Sequence, residues 1–142
     1  MNTLRALLVT MITLALGCSK TSDTVSPTLL GTWKQTSTTI ENCTDTSLNQ
    51  AETNCTTCAL ITLSVTNNVN VYSGTNSSGS ATSGTWLPGG PYTNPTGYIS
   101  FTETGGSTSA ASYTMTMTTL ILTVEGGFPG AGCKVIQKFT RQ

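Results

Sequence analysis

Histidine is absent from this chain of 142 residues. That removes the commonest general base, the usual zinc ligand and the side chain that changes charge near neutral pH. Charge of either sign is scarce: Asp, Glu, Lys and Arg make up 8% of the chain, against about 25% in ordinary soluble domains. The formal net charge is zero and no basic run exists, so no nucleic-acid partner is expected. Long hydrophobic runs are missing too, and the best apolar stretch, 6–16, is too short to span a bilayer. Strong helix formers are few. What remains is Thr, Ser, Asn and Gly interleaved with β-branched and aromatic residues, a composition that favours strands. Solubility therefore rests on hydroxyls and amides.

The N-terminus pairs one basic residue, Arg5, with that short apolar run, as the first two regions of an export signal do. Leu14-Ala15-Leu16-Gly17-Cys18 then resembles the lipobox of bacterial lipoprotein signals, with Ala15 where leucine is commonest. The resemblance implies removal of 1–17 and acylation of Cys18, leaving one domain of about 125 residues held on a membrane. Residues 18–28 read as a lipidated cysteine and polar tether ended by Pro27. Asp23-Thr24-Val25 resembles an O-glycosylation site of Bacteroidetes exported proteins, though the segment reads equally as plain linker. Ser19 lacks the aspartate signal that retains lipoproteins in the inner membrane of enteric bacteria. By that analogy the expected location is the cell envelope, at the outer membrane.

Setting Cys18 aside leaves Cys43, Cys55, Cys58 and Cys133, an even number that suits two disulfides in an oxidising compartment. A bond between Cys55 and Cys58 closes a very small loop. Pairing Cys43 with one of them and Cys133 with the other staples a long loop to the domain, at about 2–4 kcal/mol each. The connectivity stays open. Cys55-Thr56-Thr57-Cys58 also invites a redox or zinc reading. No helix N-terminus in a βαβ setting is visible, however, and an oxidising envelope disfavours four thiolates. Neither metal nor cofactor is expected.

From Leu29 onward the chain reads as eight short strands parted by turn chemistry, over 30–39, 60–66, 69–73, 81–87, 97–102, 111–117, 120–124 and 133–140. Residues 41–58 read as a polar, cysteine-bearing loop. Asn67-Asn68 reads as a two-residue hairpin turn, since Asn tolerates positive φ. Apolar parity jumps across Thr118-Thr119, which calls for a tight hairpin, with one two-sided buried strand as the alternative. Eight strands without a helix predict an all-β fold, an antiparallel up-and-down eight-stranded barrel that hides its edges by closing. A β-sandwich is the alternative. The expected inward set is Ile61, Leu63, Val65, Val71, Ile99, Phe101, Met115, Met117, Leu122 and Phe139. An eight-stranded interior can be packed by such residues or hold one small ligand. Trp86, just before the Pro/Gly loop, could join the core or line a mouth.

Gly31-Thr32-Trp33 at the first strand resembles the Gly-x-Trp signature of the lipocalin superfamily. In that family the tryptophan closes the barrel base and packs against a basic residue from the final strand. An up-and-down topology sets the end of strand eight beside the start of strand one, which makes Arg141 the first candidate and Lys138 the second. The wider order of tether, Gly-Thr-Trp, cysteine loop, second Gly-Thr-Trp (Gly84 to Trp86) and terminal Lys-Phe-Thr-Arg resembles small lipocalin-like lipoproteins of Bacteroidetes. The strands are shorter than in ligand-carrying lipocalins, which argues against a roomy calyx.

Catalysis is not expected. Glu41, Asp45 and Glu52 share one loop, Glu103 and Glu125 sit at strand ends, and no serine stands in an elbow motif beside a base. The expected function is a non-enzymatic, lipid-anchored binding protein that takes a small apolar or amphipathic ligand in the barrel mouth. Ile61, Leu63, Val65, Val71, Trp86, Ile99, Phe101, Met115, Met117 and Leu122 would line that mouth. The alternative is an interaction module that docks another envelope protein through loops 41–58 and 88–97.

Overall fold

The computed structural model describes residues 26–126 and 129–142. The export signal, Cys18 and Thr24 lie outside them. Nine antiparallel strands follow in order: β1 (Gly31–Glu41), β2 (Gln50–Asn54), β3 (Leu60–Thr66), β4 (Val69–Thr75), β5 (Ala81–Pro88), β6 (Thr96–Glu103), β7 (Thr108–Met115), β8 (Thr119–Glu125) and β9 (Lys134–Arg141). Each of β3 to β9 pairs with its chain neighbour, and β1 bonds both β3 and β9, which closes an eight-stranded up-and-down barrel. The expected barrel is therefore present and the sandwich is not. Closure within the described residues gives the eight barrel strands a core of their own and neighbours on both sides, as an independently folding unit requires, and leaves β2 as the one edge strand there.

The short turns follow the sequence chemistry. Asn67 and Asn68 take φ of 52° and 64° between β3 and β4, as a two-residue hairpin with a right-handed strand twist requires. Between β7 and β8 the Thr116 amide donates to Thr119 O at 2.8 Å, and Thr116 Oγ1 accepts from the Thr118 and Thr119 amides. That turn is the hairpin the parity jump called for, and it rules out a single two-sided strand.

The extra strand is β2, which corrects the reading of 41–58 as loop throughout. Every residue of its Gln-Ala-Glu-Thr-Asn sequence is exposed, so no apolar alternation marks it. It runs along the upper half of β1 on the same edge that β3 takes below. The Gln35 amide donates to Ala59 O at 2.8 Å and the Cys55 amide to Thr36 O at 3.0 Å. Residues 56–58 thus leave the ladder, and β2 and β3 are two parts of one interrupted strand. The Cys55–Cys58 disulfide ties the two sides of the gap together. On the outer face Glu52 accepts from Ser37 Oγ at 2.6 Å and Lys138 Nζ at 2.8 Å. The Lys138 bond first, and the Ser37 bond second, hold the Glu52 carboxyl below its ordinary pKa.

The second disulfide joins Cys43 to Cys133 across 90 residues. Of the pairings left open, the structure takes Cys43–Cys133 with Cys55–Cys58 rather than the cross-pairing. The β1–β9 ladder ends at Glu41 opposite Lys134, so the residues just beyond it meet, while Cys55 and Cys58 lie on the far edge of β1. A 3.1 Å Lys134–Glu41 ion pair flanks the bond.

A bulge at Thr36 changes the phase of β1, so Trp33 and Gln35 face inward below it and Thr38 and Ile40 above it. The core contains Leu29, Trp33, Leu63, Tyr72, Trp86, Ile99, Ala111, Tyr113, Met115, Leu120, Leu122 and Phe139. Tyr113 faces Gly97 across the β6–β7 ladder. A Cβ on Gly97 would stand 2.9 Å from the Tyr113 hydroxyl oxygen, so the glycine makes room for the ring. That hydroxyl is buried without a hydrogen-bond partner, and burial raises its pKa. A buried, unpaired polar group costs about 1–3 kcal/mol. Tyr113→Phe is therefore expected to raise the melting temperature by a few degrees, and Gly97→Ala to lower it, both read by thermal unfolding. A lower melting temperature for Tyr113→Phe would show that the hydroxyl is satisfied.

Candidate functional site

The two ends of the barrel differ. At the base, β1 begins, β9 ends, and the Pro/Gly loop between β5 and β6 folds under the sheet, where the Leu29 amide donates to Tyr92 O at 2.8 Å. Trp33 is wholly buried there, and its Nε1 donates to Leu29 O at 2.9 Å. Arg141 stacks over the Trp33 ring, with Cζ 4.2 Å from the centroid. Its Nη1 donates to Leu30 O at 2.8 Å, Nε to Met117 O at 2.9 Å, and Nη2 to Thr28 O. Gly31 is required beside it: its φ is +129°, and a Cβ would meet Arg141 Nη1 at 2.7 Å. Lys138, the second candidate, points outward to Glu52 instead. Base closure by tryptophan and a terminal arginine is thus built from the residues named for it.

Trp86 belongs to the same plug. It is 1% exposed, its Nε1 lies 3.2 and 3.3 Å from the carbonyl oxygens of Val71 and Ser64, and Tyr92 packs on it at 5.4 Å. The mouth position considered for Trp86 does not hold, because the Pro/Gly loop closes the base. Tyr92 in turn donates to Asn70 Oδ1 at 2.6 Å. Leu63, Ile99 and Met115 fill the lower interior with these rings.

The upper interior is open. A cavity of about 220 Å³ is lined by residues from seven strands. Ile61, Tyr72, Thr82, Phe101, Glu103, Ser109, Leu122, Gln137 and Phe139 are in the inward phase, while Leu60 and Thr75 pair with each other in the outward phase at its edge. Its floor is apolar and aromatic, with Tyr72 and Phe101 edge-to-face at 5.4 Å. Its rim is hydroxyl, amide and one carboxylate. Gly84 allows this arrangement, since a Cβ there would stand 2.9 Å from the Tyr72 ring. Tyr72 and Glu103 flank Gly84 on neighbouring strands; burial first, and the Glu103 carboxylate second, push the Tyr72 phenol pKa up.

Of the residues expected to line a pocket, Ile61, Phe101 and Leu122 do so. Leu63, Trp86, Ile99 and Met115 belong to the filled base. Val65 faces inward but sits at the open end of its strand by the base hairpin, 42% exposed. Met117 lies past the end of β7 in the turn and is 46% exposed. Val71 points outward, because the inward residues of β4 are Asn70 and Tyr72. The apolar Val69 and Val71 suggested the opposite phase, and tyrosine's polar tip hid its role. Missed as well were Thr82, Glu103, Ser109 and Gln137, whose polar side chains carry no signal for an interior.

Among the described residues no three His, Cys, Asp or Glu side chains converge as metal ligands, and no helix is long and apolar enough to cross a membrane. No known protein family, curated protein or solved structure matches this chain.

Proposed function

We propose that this protein is a non-enzymatic, lipid-anchored envelope lipoprotein whose barrel takes one small amphipathic molecule in its upper cup. The barrel is compatible with a ligand-binding, lipocalin-like domain. The single observation that carries the reading is the cup itself, an apolar floor beneath a polar rim on a plugged base. Drug-sized ligands occupy pockets of about 300–1,000 Å³, so a cup of about 220 Å³ suits a short apolar body with its head at the rim. The lipobox at Leu14–Cys18 supports the anchor, and export suits the two disulfides.

Loops 41–58 and 88–97 stand at opposite ends of the barrel. The first stands at the open end and the second beneath the base, so one partner seated end-on meets only one of them.

Ser109→Trp tests the cup, because Ser109 is exposed at the rim and lines the opening. An indole there is expected to reduce saturable uptake of a fluorescent apolar probe at least tenfold, with the melting temperature nearly unchanged. Undiminished uptake by that variant would sink the assignment.

A further inference from the structure

None of the cations among the described residues lines the cup. Lys34 is exposed on the outer face of β1 opposite Leu60. Lys134 pairs with Glu41 and Lys138 with Glu52, both outside the barrel. Arg141 is clamped to Trp33 and backbone carbonyls at the opposite end. The chain contains no histidine. Glu103, by contrast, lines the cup: it pairs with Gly84 on the face that carries Trp86 and Phe101. The cup therefore has a negative rim with no compensating positive charge among its lining residues. Beneath it Tyr72 and Phe101, packed edge to face, form an aromatic floor.

We infer that the cup selects amphiphiles with a protonated amine head and rejects those with a carboxylate or phosphate head. This deepens the proposed function and rests on that reading. A carboxylate at the rim meets Glu103 and finds only neutral donors such as Thr82, Ser109 and Gln137. An ammonium at the rim gains the Glu103 carboxylate while its chain covers the floor of Tyr72, Phe101, Leu122 and Ile61.

The test uses the chain from Ser19 onward, titrated calorimetrically at neutral pH and low salt with hexylammonium, 1-hexanol and hexanoate. These share one apolar body and differ in head charge. Hexylammonium is expected to bind about fivefold or more tighter than hexanoate, with hexanol between them, and the ratio should shrink as salt is added. Glu103→Gln, at an exposed position, is expected to bring the ratio close to one with the melting temperature nearly unchanged. Equal or tighter binding of hexanoate by the unaltered chain overturns the selectivity and leaves the cup standing. So does a ratio that survives Glu103→Gln. Failure of all three to bind removes both the selectivity and the cup reading.

Discussion

Replacing both Cys43 and Cys133 by serine is expected to lower the melting temperature by on the order of 15–20 °C. The bond spans 90 residues, and in the chain-entropy account a loop of that length restricts the unfolded chain by about 4–5 kcal/mol. For a domain of this size 1 kcal/mol corresponds to roughly 3–6 °C. The bond also sits where the barrel closes, just beyond the last β1–β9 pair, so its loss loosens the contact of greatest sequence separation. The Cys55–Cys58 bond is the internal comparison. Its separation is 3 residues, and the same account gives at most about 2 kcal/mol. Thermal unfolding of the two double-serine variants, followed by circular dichroism, decides the matter. Equal losses would show that loop length does not govern what these bonds contribute.

Trp33→Ala is expected to cost about 3–5 kcal/mol, the range for removing a large aromatic from a packed interior. Trp33 is fully buried and bridges Leu29 to the guanidinium of Arg141. Arg141→Ala alone should cost less than Trp33→Ala, since the indole stays packed while three backbone carbonyls lose a donor. Combining the two in a cycle measures their coupling, expected at about 0.5–2 kcal/mol for a half-buried cation on an indole face. Denaturant titration of the four proteins supplies the numbers. Strict additivity would reduce the stacked arginine to a neighbour without energetic weight.

What could be seen in the sequence was whatever alternation writes plainly. The phase of Ile61 and Leu63, of Leu120 and Leu122, and of Phe139 with Arg141 is set by period-two burial, and the barrel reproduces it. Three features escaped for different reasons. β2 is held by backbone ladder bonds and by Glu52 rather than by burial, so its composition carries no pattern. On β4 a tyrosine and an asparagine face inward while valines face out, because Tyr72 roofs the filled interior and Asn70 is bound by Tyr92. The Pro/Gly loop marked a rigid irregular segment correctly, but only strand direction assigns it to the base. The candidate site was half legible. Its apolar floor followed from alternation, whereas its polar rim depends on where each strand ends.

The base plug also fixes a direction. Residues 26–30 leave the barrel at the end sealed by Trp33, Arg141 and the Pro/Gly loop, and the cup opens at the other. If Cys18 carries the acyl chains, the leash would join the sealed end and leave the opening unobstructed by the anchor. A guest would then arrive from the aqueous side, one soluble molecule at a time, rather than slide in from the bilayer. Such a protein would act as a tethered collector for the surrounding fluid, not as an extractor of membrane lipid.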